Sequence, residues 1–404
     1  MNLLVKDKRF YKKMAVIAIP ISLQSMITIG VNMTDTVMVG KLGETSLSAT
    51  ALANQFVNIY QICCMGIAMG ASVLTSRFWG MQDITSLKKT ITLMLRLCIV
   101  LAVLFMLPTI LIPQLLMRMY SSDSAVIAQG VQYFKWMVYC YFLQGMTMTC
   151  TIVLRSVGQV NFPLFTSIGS FFVNILFNYM FIFGKLGVPR MEVEGAGVGT
   201  LIARVFEFSL ICGYFLFVDR KIGYRLKDLR MKCNSLIKDY VSISIPVFVS
   251  DSLLALGTSA VAMVMGRIGT GFVSANSITV VTQQLTTVVI QGICHASCIM
   301  TGHTLGHGER EKAQQQAWTF LILGLVVGIL GGGLIKVLSR PIIGLYNITP
   351  ETAQIAGELM DAIAFIVIFQ SMNSILTKGV LRGGGDTKFL MVADIIFLWA
   401  ASLP

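Results

Sequence analysis

The second half of this chain repeats the first half at a constant offset, which aligns Pro20 with Pro246. The match continues without a gap from this proline pair to the pair of Gly80 and Gly306. The other aligned pairs are Gly40 with Gly266, Lys41 with Arg267, Gly43 with Gly269, Ala49 with Ala275 and Gly66 with Gly292. Residues 154–162 align with residues 381–389 at an offset that is one position longer. Because proline and glycine set helix bends and turns, their recurrence predicts two homologous halves.

The composition requires a membrane environment. Of the 404 residues 55% are hydrophobic and 12% are charged, and the mean hydropathy is +0.77. Apolar runs of about 20 residues, the length that spans a bilayer, are centred near residues 27, 62, 101, 145, 172, 207, 252, 287, 325, 367 and 395. The last run, 389–404, is shorter than the others. We predict an all-α integral membrane protein with two pseudo-symmetric six-helix lobes, the second truncated after about 11 of 12 helices.

Basic residues predict the orientation of the chain, because short cytoplasmic loops retain Lys and Arg. Five of them, from Lys6 to Lys13, precede the first apolar run, and no small-residue cleavage site follows it. We therefore expect a cytoplasmic N-terminus and no cleaved signal peptide. The predicted domains are an N-lobe at 1–218, a basic cytoplasmic linker at 219–236 and a C-lobe at 237–404. Anionic lipid headgroups account for the net charge of +12, so nucleic acid is not an expected partner.

Two motifs could suggest a metal site or a phosphate-binding loop, but each is better explained by helix packing or a helix end. Cys294, His295 and Cys298 lie on a predicted helix, whereas structural zinc sites usually use loops or paired strands. The glycine run 383–385 lacks the preceding strand and the following Lys-Ser/Thr of a phosphate-binding loop. We therefore expect no metal, no cofactor and no enzymatic activity. A membrane-embedded enzyme remains the alternative from another class, with the Cys/His cluster as its support.

Asp35 is the strongest candidate functional residue, because a charge in a membrane span is costly and usually faces a cavity or a partner. Its repeat equivalent is Val261, so the architecture shared by the two halves does not require it. Asn174, Asn178 and Thr200 are predicted to surround its carboxylate. The alternatives are that Asp35 caps a helix end and that the two Asn residues only join helices.

Other residues are candidates for substrate contact or for bending. Asp251 lies at about mid-span and aligns with Ser25, so it also breaks the repeat. Pro20 and Pro246 each remove a backbone hydrogen bond and are predicted to let their helices bend. Uncharged polar candidates for the cavity are Gln55, Gln144, Gln284 and Gln370. The 24 Met and 24 Phe favour an adaptable, apolar cavity wall, although both are also ordinary packing residues.

Three segments of the chain resemble multidrug and toxic compound extrusion (MATE) transporters. The first, from Ile19 to Gly43, has a bending proline, an aspartate and a glycine turn like those of the family's first helix. The second, from Val173 to Thr200, is similar to the family's fifth and sixth helices. The Leu-Arg turns at Leu154 and Leu381 fit as well. The resemblance covers nearly the whole chain.

This resemblance implies a monomeric antiporter with a V-shaped cavity, in the inner membrane of a bacterium, that exports amphipathic, often cationic organic compounds. Asp35 would be the coupling carboxylate. Family members often have Asp where this chain has Asn178, and the acids of the sodium-coupled branch fall near Leu254 and Ser371. These departures favour protons over sodium as the coupling ion, as in the DinF-like branch. A lipid-linked oligosaccharide flippase of the same superfamily is the alternative transport function, but such proteins usually carry several basic residues in the cavity.

Overall fold

The structure is a computed structural model that describes residues 4–185, 187–268, 270–344 and 350–397. Within these ranges the chain forms helices and no strand. In the first half the helices are α1 (Lys8–Gly40), α2 (Glu44–Gly80), α3 (Ile84–Leu111), α4 (Pro113–Arg118), α5 (Ser124–Ser156), α6 (Asn161–Phe183) and α7 (Glu192–Gly213). In the second half they are α8 (Asn234–Ile268), α9 (Thr270–Gly306), α10 (Arg310–Ile343), α11 (Pro350–Ser374), α12 (Arg382–Gly384) and α13 (Thr387–Ile395).

Nine spans among the described residues are long and apolar enough to cross a bilayer. Two of them are extended by π-helical segments, Tyr214–Val218 after α7 and Ile375–Leu381 after α11. The prediction of an all-α, multi-pass membrane fold is therefore confirmed. Gly269 of the repeat and residues 398–404 of the last apolar run lie outside the described residues.

The chain forms two compact units that interleave along the sequence. The first unit contains residues 1–25, 76–83 and 249–404, and the second contains residues 26–75 and 84–248. Helix α1 therefore contributes its first part to one unit and its second part to the other. Pro20 lies inside α1, close to this boundary, and Pro246 lies inside α8. Both helices continue through their proline, and the lobe boundaries drawn from sequence remain a prediction.

The core of the second unit is an aromatic cluster between α2, α3 and α5. The ring of Tyr60 packs edge-on against Tyr141 and Phe105, and Phe56 packs on the same two residues. The Tyr60 hydroxyl donates a hydrogen bond to the Tyr141 carbonyl, which satisfies its polar atom inside the core. These contacts fix α2 and α5, which carry part of the candidate site.

Glycines bring α7 against α6. A Cβ on Gly195 would lie 2.6 Å from the carbonyl of Phe181, and a Cβ on Gly199 would lie 2.8 Å from the backbone nitrogen of Asn178. Gly195 and Gly199 are one helical turn apart, so they form one small-residue face that lets the two backbones approach. The turn into this pair starts at Gly184, whose positive φ of 65° ends α6.

Small residues also pack the first unit. Gly328 and Gly332 of α10 face α11, where a Cβ on Gly328 would lie 2.8 Å from the Cα of Ile368. Gly292 of α9 is packed against Ala18 and Ser22 of α1. Gly292 is one of the glycines that recur in the repeat, and its role is to permit close helix contact rather than to form a turn.

The basic linker folds onto α3. The Lys88 ammonium bonds the Asp228 carboxylate at 3.0 Å, and the Arg96 guanidinium donates to the carbonyl oxygens of Leu229 and Met231. Burial opposes the charged form of Asp228, but hydrogen bonds from Lys88 and from the Arg225 backbone N–H outweigh it and lower its pKa below the usual 3.8. The linker therefore has a defined structure, with a 3₁₀ helix at Leu226–Arg230.

Candidate functional site

A cavity of about 350 Å³ lies within the second unit, a volume at the lower end of the range for small-molecule sites. Five helices, α1, α2, α5, α6 and α7, supply its walls. The charged and amide-bearing lining residues are Asn32, Asp35, Asn54, Asn58, Gln61, Gln144, Asn174, Arg204 and Glu207. Hydroxyl-bearing side chains that line it include Thr36, Tyr133, Ser170 and Thr200.

Asp35 lies on the cavity wall beside the two predicted asparagines. Asn178 Nδ2 donates to Asp35 Oδ1 at 2.6 Å and to Asn174 Oδ1 at 3.3 Å. Asn174 and Asn178 are buried, with 3% and 1% of their surface exposed. No Lys or Arg in the described ranges lies within ion-pair distance of Asp35. The carboxylate therefore faces a cavity and is held by a neutral amide.

Thr200 reaches the same cavity because of the close packing of α7 on α6. Gly199 packs against Asn178, and Thr200 is the next residue along α7. Ala203, Arg204 and Glu207 follow at helical spacing, so one face of α7 lines the cavity. The structure thus brings Asp35 and Thr200 to one cavity, with Asn178 as the hydrogen-bond partner of Asp35.

An ion pair also lies in the cavity wall. Arg204 Nη1 bonds Glu207 Oε2 at 2.8 Å, as their spacing on the helix predicts. The side chains remain 29% and 13% exposed, and both line the cavity. The pair neutralises itself, so Asp35 carries the unbalanced charge among the lining residues.

The cavity wall is more polar than the sequence suggested. Sixteen of its 26 lining residues carry polar side chains, and Met137 and Phe171 are the Met and Phe among them. The amide side chains that α2 contributes to the cavity, Asn54, Asn58 and Gln61, were not among the sequence candidates. Their spacing of four and then three positions is the signal that would have found them, because it places them on one helix face.

The remaining predicted cavity residues are distributed between the two units. Gln144 lines the cavity, whereas Gln55 on α2 is exposed and is not among the lining residues. Gln284 and Gln370 are exposed residues of the first unit, and Gln370 accepts a hydrogen bond from Gln283 at 2.9 Å. Their contact with substrate remains a prediction.

Asp251 has a partner that lies far from it in the sequence. Arg382 donates from Nη2 to Asp251 Oδ1 at 2.9 Å and from Nη1 to Oδ2 at 3.3 Å, and only 3% of the Arg382 side chain is exposed. The neighbouring Ser250 hydroxyl bonds the Asp394 carboxylate. An ion pair with both carboxylate oxygens, within the first unit, leaves Asp251 little capacity to bind a substrate.

The Cys/His cluster is packed into the first unit. The Cys294 thiol lies 3.3 Å from the Ser374 carbonyl oxygen, and Cys298 and His303 are buried. In the described ranges, no group of three His, Cys, Asp or Glu side chains is arranged to hold a metal ion.

A multi-pass helical membrane protein with a polar cavity, and with a carboxylate on its wall that a neutral amide holds, has the features of a membrane transporter. The family model described as MatE matches residues 20–180 and 246–403, which is most of the chain. The chain belongs to the MatE family, a family of multidrug transporters. The two matched stretches begin at Pro20 and Pro246, the pair that opens the internal repeat, so the family match also reproduces the repeat.

Individual relatives are distant but extend over nearly the whole chain. The probable multidrug resistance protein NorM of Thermotoga maritima is 24% identical over 97% of this chain and 84% of its own length. The uncharacterized transporter YisQ of Bacillus subtilis is 24% identical over 92% of this chain and 81% of its own length. The MATE transporter VcmN of Vibrio cholerae in its bent form has a TM-score of 0.89 at 17% identity, covering 98% of this chain and 89% of that one. This likeness confirms the predicted MATE fold; the DinF-like branch remains a prediction.

Proposed function

We propose that this chain is an antiporter that exports organic cations in exchange for protons, with Asp35 as the coupling carboxylate. Its membership in a multidrug transporter family supports an efflux role. The observation on which the proposal rests is the contact between Asp35 and Asn178, at 2.6 Å on the wall of the cavity. The cation specificity, the coupling ion and the exchange mechanism belong to the proposal.

Charge balance in the cavity explains why a proton and an organic cation exclude each other. Arg204 neutralises Glu207, so the ionised carboxylate of Asp35 leaves one net negative charge on the wall. One monovalent cation balances this charge, and so does one proton on Asp35. When the proton binds, the attraction for the organic cation disappears. Competition for a single carboxylate is therefore sufficient to link the two fluxes.

Neutral hydrogen-bonding groups around Asp35 support this cycle. Asn178 donates to the ionised carboxylate, and a carboxylic acid would donate to an amide oxygen instead. A basic partner would stabilise only the ionised form.

We propose that bending at Pro20 and Pro246 accompanies the cycle. We also propose that the N-terminus lies in the cytoplasm and that the protein lies in the bacterial inner membrane.

The proposal leaves sodium as the alternative coupling ion. A sodium site needs several oxygen ligands, and Asp35, Asn174 and Thr200 supply oxygens around the cavity. The experiment is ethidium transport in proteoliposomes with either a proton gradient or a sodium gradient imposed. We expect the proton gradient alone to drive ethidium against its concentration gradient. If only the sodium gradient drives transport, sodium is the coupling ion and the proton is not. If neither gradient drives transport, the antiport proposal is contradicted.

The flippase alternative is less well supported by the cavity. Among the lining residues Arg204 is the one basic side chain, and it is paired with Glu207. Arg96, which lies on α3, donates to the linker carbonyl groups of Leu229 and Met231. A lipid-linked pyrophosphate would therefore meet a single, partly neutralised guanidinium group.

A further inference from the structure

The cavity holds charged groups of both signs. Asp35 presents a carboxylate on one part of the wall, and Arg204 presents a guanidinium on another. The spacing of Arg204 and Glu207, three positions apart on one helix, is typical of a structural ion pair. Their position among the cavity-lining residues indicates a different role, because ionisable side chains that face a cavity in a membrane protein often mark a substrate or ion pathway.

The guanidinium of Arg204 is only partly used by Glu207. A single contact joins Arg204 Nη1 to Glu207 Oε2, and 29% of the Arg204 side chain is exposed. By contrast, Arg382 binds both oxygens of Asp251 and is 3% exposed. A guanidinium group has five N–H donors, so Arg204 can bind Glu207 and still donate to a ligand anion in the cavity.

The backbone positions next to the two charged residues are offset along α6 and α7. On α6, Asn178 is the residue that contacts Asp35. One end of the interval to Arg204 is given by Ser170 of the same helix, whose Oγ donates to the carbonyl of Ala203, the residue before Arg204, at 3.2 Å. The interval from Ser170 to Asn178 corresponds to about 12 Å of helix at about 1.5 Å per residue. On α7 the interval from Gly199, which packs on Asn178, to Arg204 corresponds to about 7.5 Å.

We propose that Arg204 is a specificity-determining residue that binds the carboxylate of an organic zwitterion while Asp35 binds its cationic group. The offset between the two positions favours ligands that carry their two charges on different parts of the molecule. An α-amino acid, which carries both charges on one carbon, is too short to reach both. The amide groups of Asn54, Asn58 and Gln61 supply hydrogen bonds along the wall. This inference rests on the proposed efflux function of the same cavity.

Substitutions of the two partners have opposite expected effects on carboxylate binding. Arg204→Gln removes the charged donor, whereas Glu207→Gln removes the competing carboxylate and frees the guanidinium for the ligand. If the pair only stabilises α7, both substitutions break the same contact and change binding in the same direction. Tighter carboxylate binding in Glu207→Gln thus indicates ligand binding by Arg204, and weaker binding indicates a purely structural pair. This distinction holds even if Arg204→Gln fails to fold.

The test compares rhodamine 110, which carries a free carboxylate and a cationic ring system, with its methyl ester, rhodamine 123. Binding to the purified protein is measured by fluorescence anisotropy, and efflux of both dyes is measured in proteoliposomes under a proton gradient. We expect Arg204→Gln to weaken rhodamine 110 binding about tenfold, the loss of one charge-assisted hydrogen bond. Rhodamine 123 binding is expected not to weaken. Glu207→Gln is expected to tighten rhodamine 110 binding.

Three results would overturn the inference. The first is equal weakening of both dyes by Arg204→Gln, and the second is weaker rhodamine 110 binding in Glu207→Gln. The third is a native protein that fails to bind rhodamine 110. A native protein that binds rhodamine 110 with this dependence but exports neither dye would contradict the proposed efflux function and leave the binding role of Arg204 intact.

Discussion

Asn178 Nδ2 donates to Asp35 Oδ1 at 2.6 Å, joining two residues that are 143 positions apart in the sequence. The same nitrogen is 3.3 Å from Asn174 Oδ1, while Asn178 Oδ1 is buried and has no hydrogen-bond partner among the described residues. An amide that turns over can donate to a carboxylate or accept from a carboxylic acid. Asn178 therefore has the chemistry to hold Asp35 in either protonation state.

Replacing Asn178 with Leu is expected to lower ethidium efflux at least about tenfold, because it removes the hydrogen bond to Asp35 and leaves the carboxylate without this partner. Asn174→Leu is the comparison, since the hydrogen bond that Asn174 Oδ1 accepts from Asn178 is longer, at 3.3 Å, than the one that Asp35 accepts, at 2.6 Å. We expect a smaller loss there. Initial rates in proteoliposomes measure both. Equal losses in the two variants would show that the direct contact has no special role.

Gly199 is expected to tolerate no side chain. A Cβ at this position would overlap Asn178 and lie 2.8 Å from its backbone nitrogen, so Gly199→Ala should push α7 from α6 at a cost of about 1–3 kcal/mol. Gly213 on the same helix has open space where a Cβ would be, so Gly213→Ala is the control. Thermal unfolding in detergent and ethidium efflux measure the effect. Similar unfolding temperatures for the two variants would contradict the packing described.

The Asp251–Arg382 ion pair is expected to contribute to stability rather than to bind substrate. Asp251→Asn leaves Arg382 buried with its charge uncompensated, which costs about 3–5 kcal/mol. The exposed pair of Lys336 and Asp361, at 3.7 Å, is the control, and Asp361→Asn should cost about 0–1 kcal/mol. Thermal unfolding of the purified variants checks this. An Asp251→Asn protein as stable as the native one would refute the assignment.

The contact between Lys88 and Asp228 predicts a pH dependence of the linker. Because the pKa of Asp228 is lowered in the folded protein, its stabilising effect is complete above the ordinary value of 3.8 and is lost as the pH falls through the folded value. Asp228→Asn should therefore lower the unfolding temperature by a constant amount from pH 8 to pH 5. The difference from native protein should shrink below pH 3.8. A difference that grows on acidification would be inconsistent with this pair.

The helical spans and the internal repeat were predictable because both depend on local sequence properties. Apolar runs of bilayer length specify spans, and recurring Pro and Gly residues specify the repeat. The grouping of Asp35 with Asn174 and Asn178 was also accessible, since a lone carboxylate in a span needs polar neighbours. Asn174 and Asn178 are four positions apart and therefore share one helix face, which groups them without reference to a family.

The partners of other charges depend on contacts that no local pattern encodes. Arg382 and Asp251 are 131 positions apart, and the local sequence does not connect them. The pairing of Arg204 with Glu207 was predictable from their spacing on one helix, but the exposure of this pair to a cavity was not. Exposure depends on how five helices meet, which periodicity does not determine.

The most direct test of the account is proton-driven ethidium transport by native protein and by Asp35→Asn, measured in proteoliposomes over a range of imposed pH gradients. Asparagine preserves the size and polarity of the side chain but cannot exchange a proton or balance a cation. We predict that Asp35→Asn abolishes uphill transport and its dependence on the pH gradient. Transport by Asp35→Asn with the same rate and the same dependence as native protein would contradict the central claim.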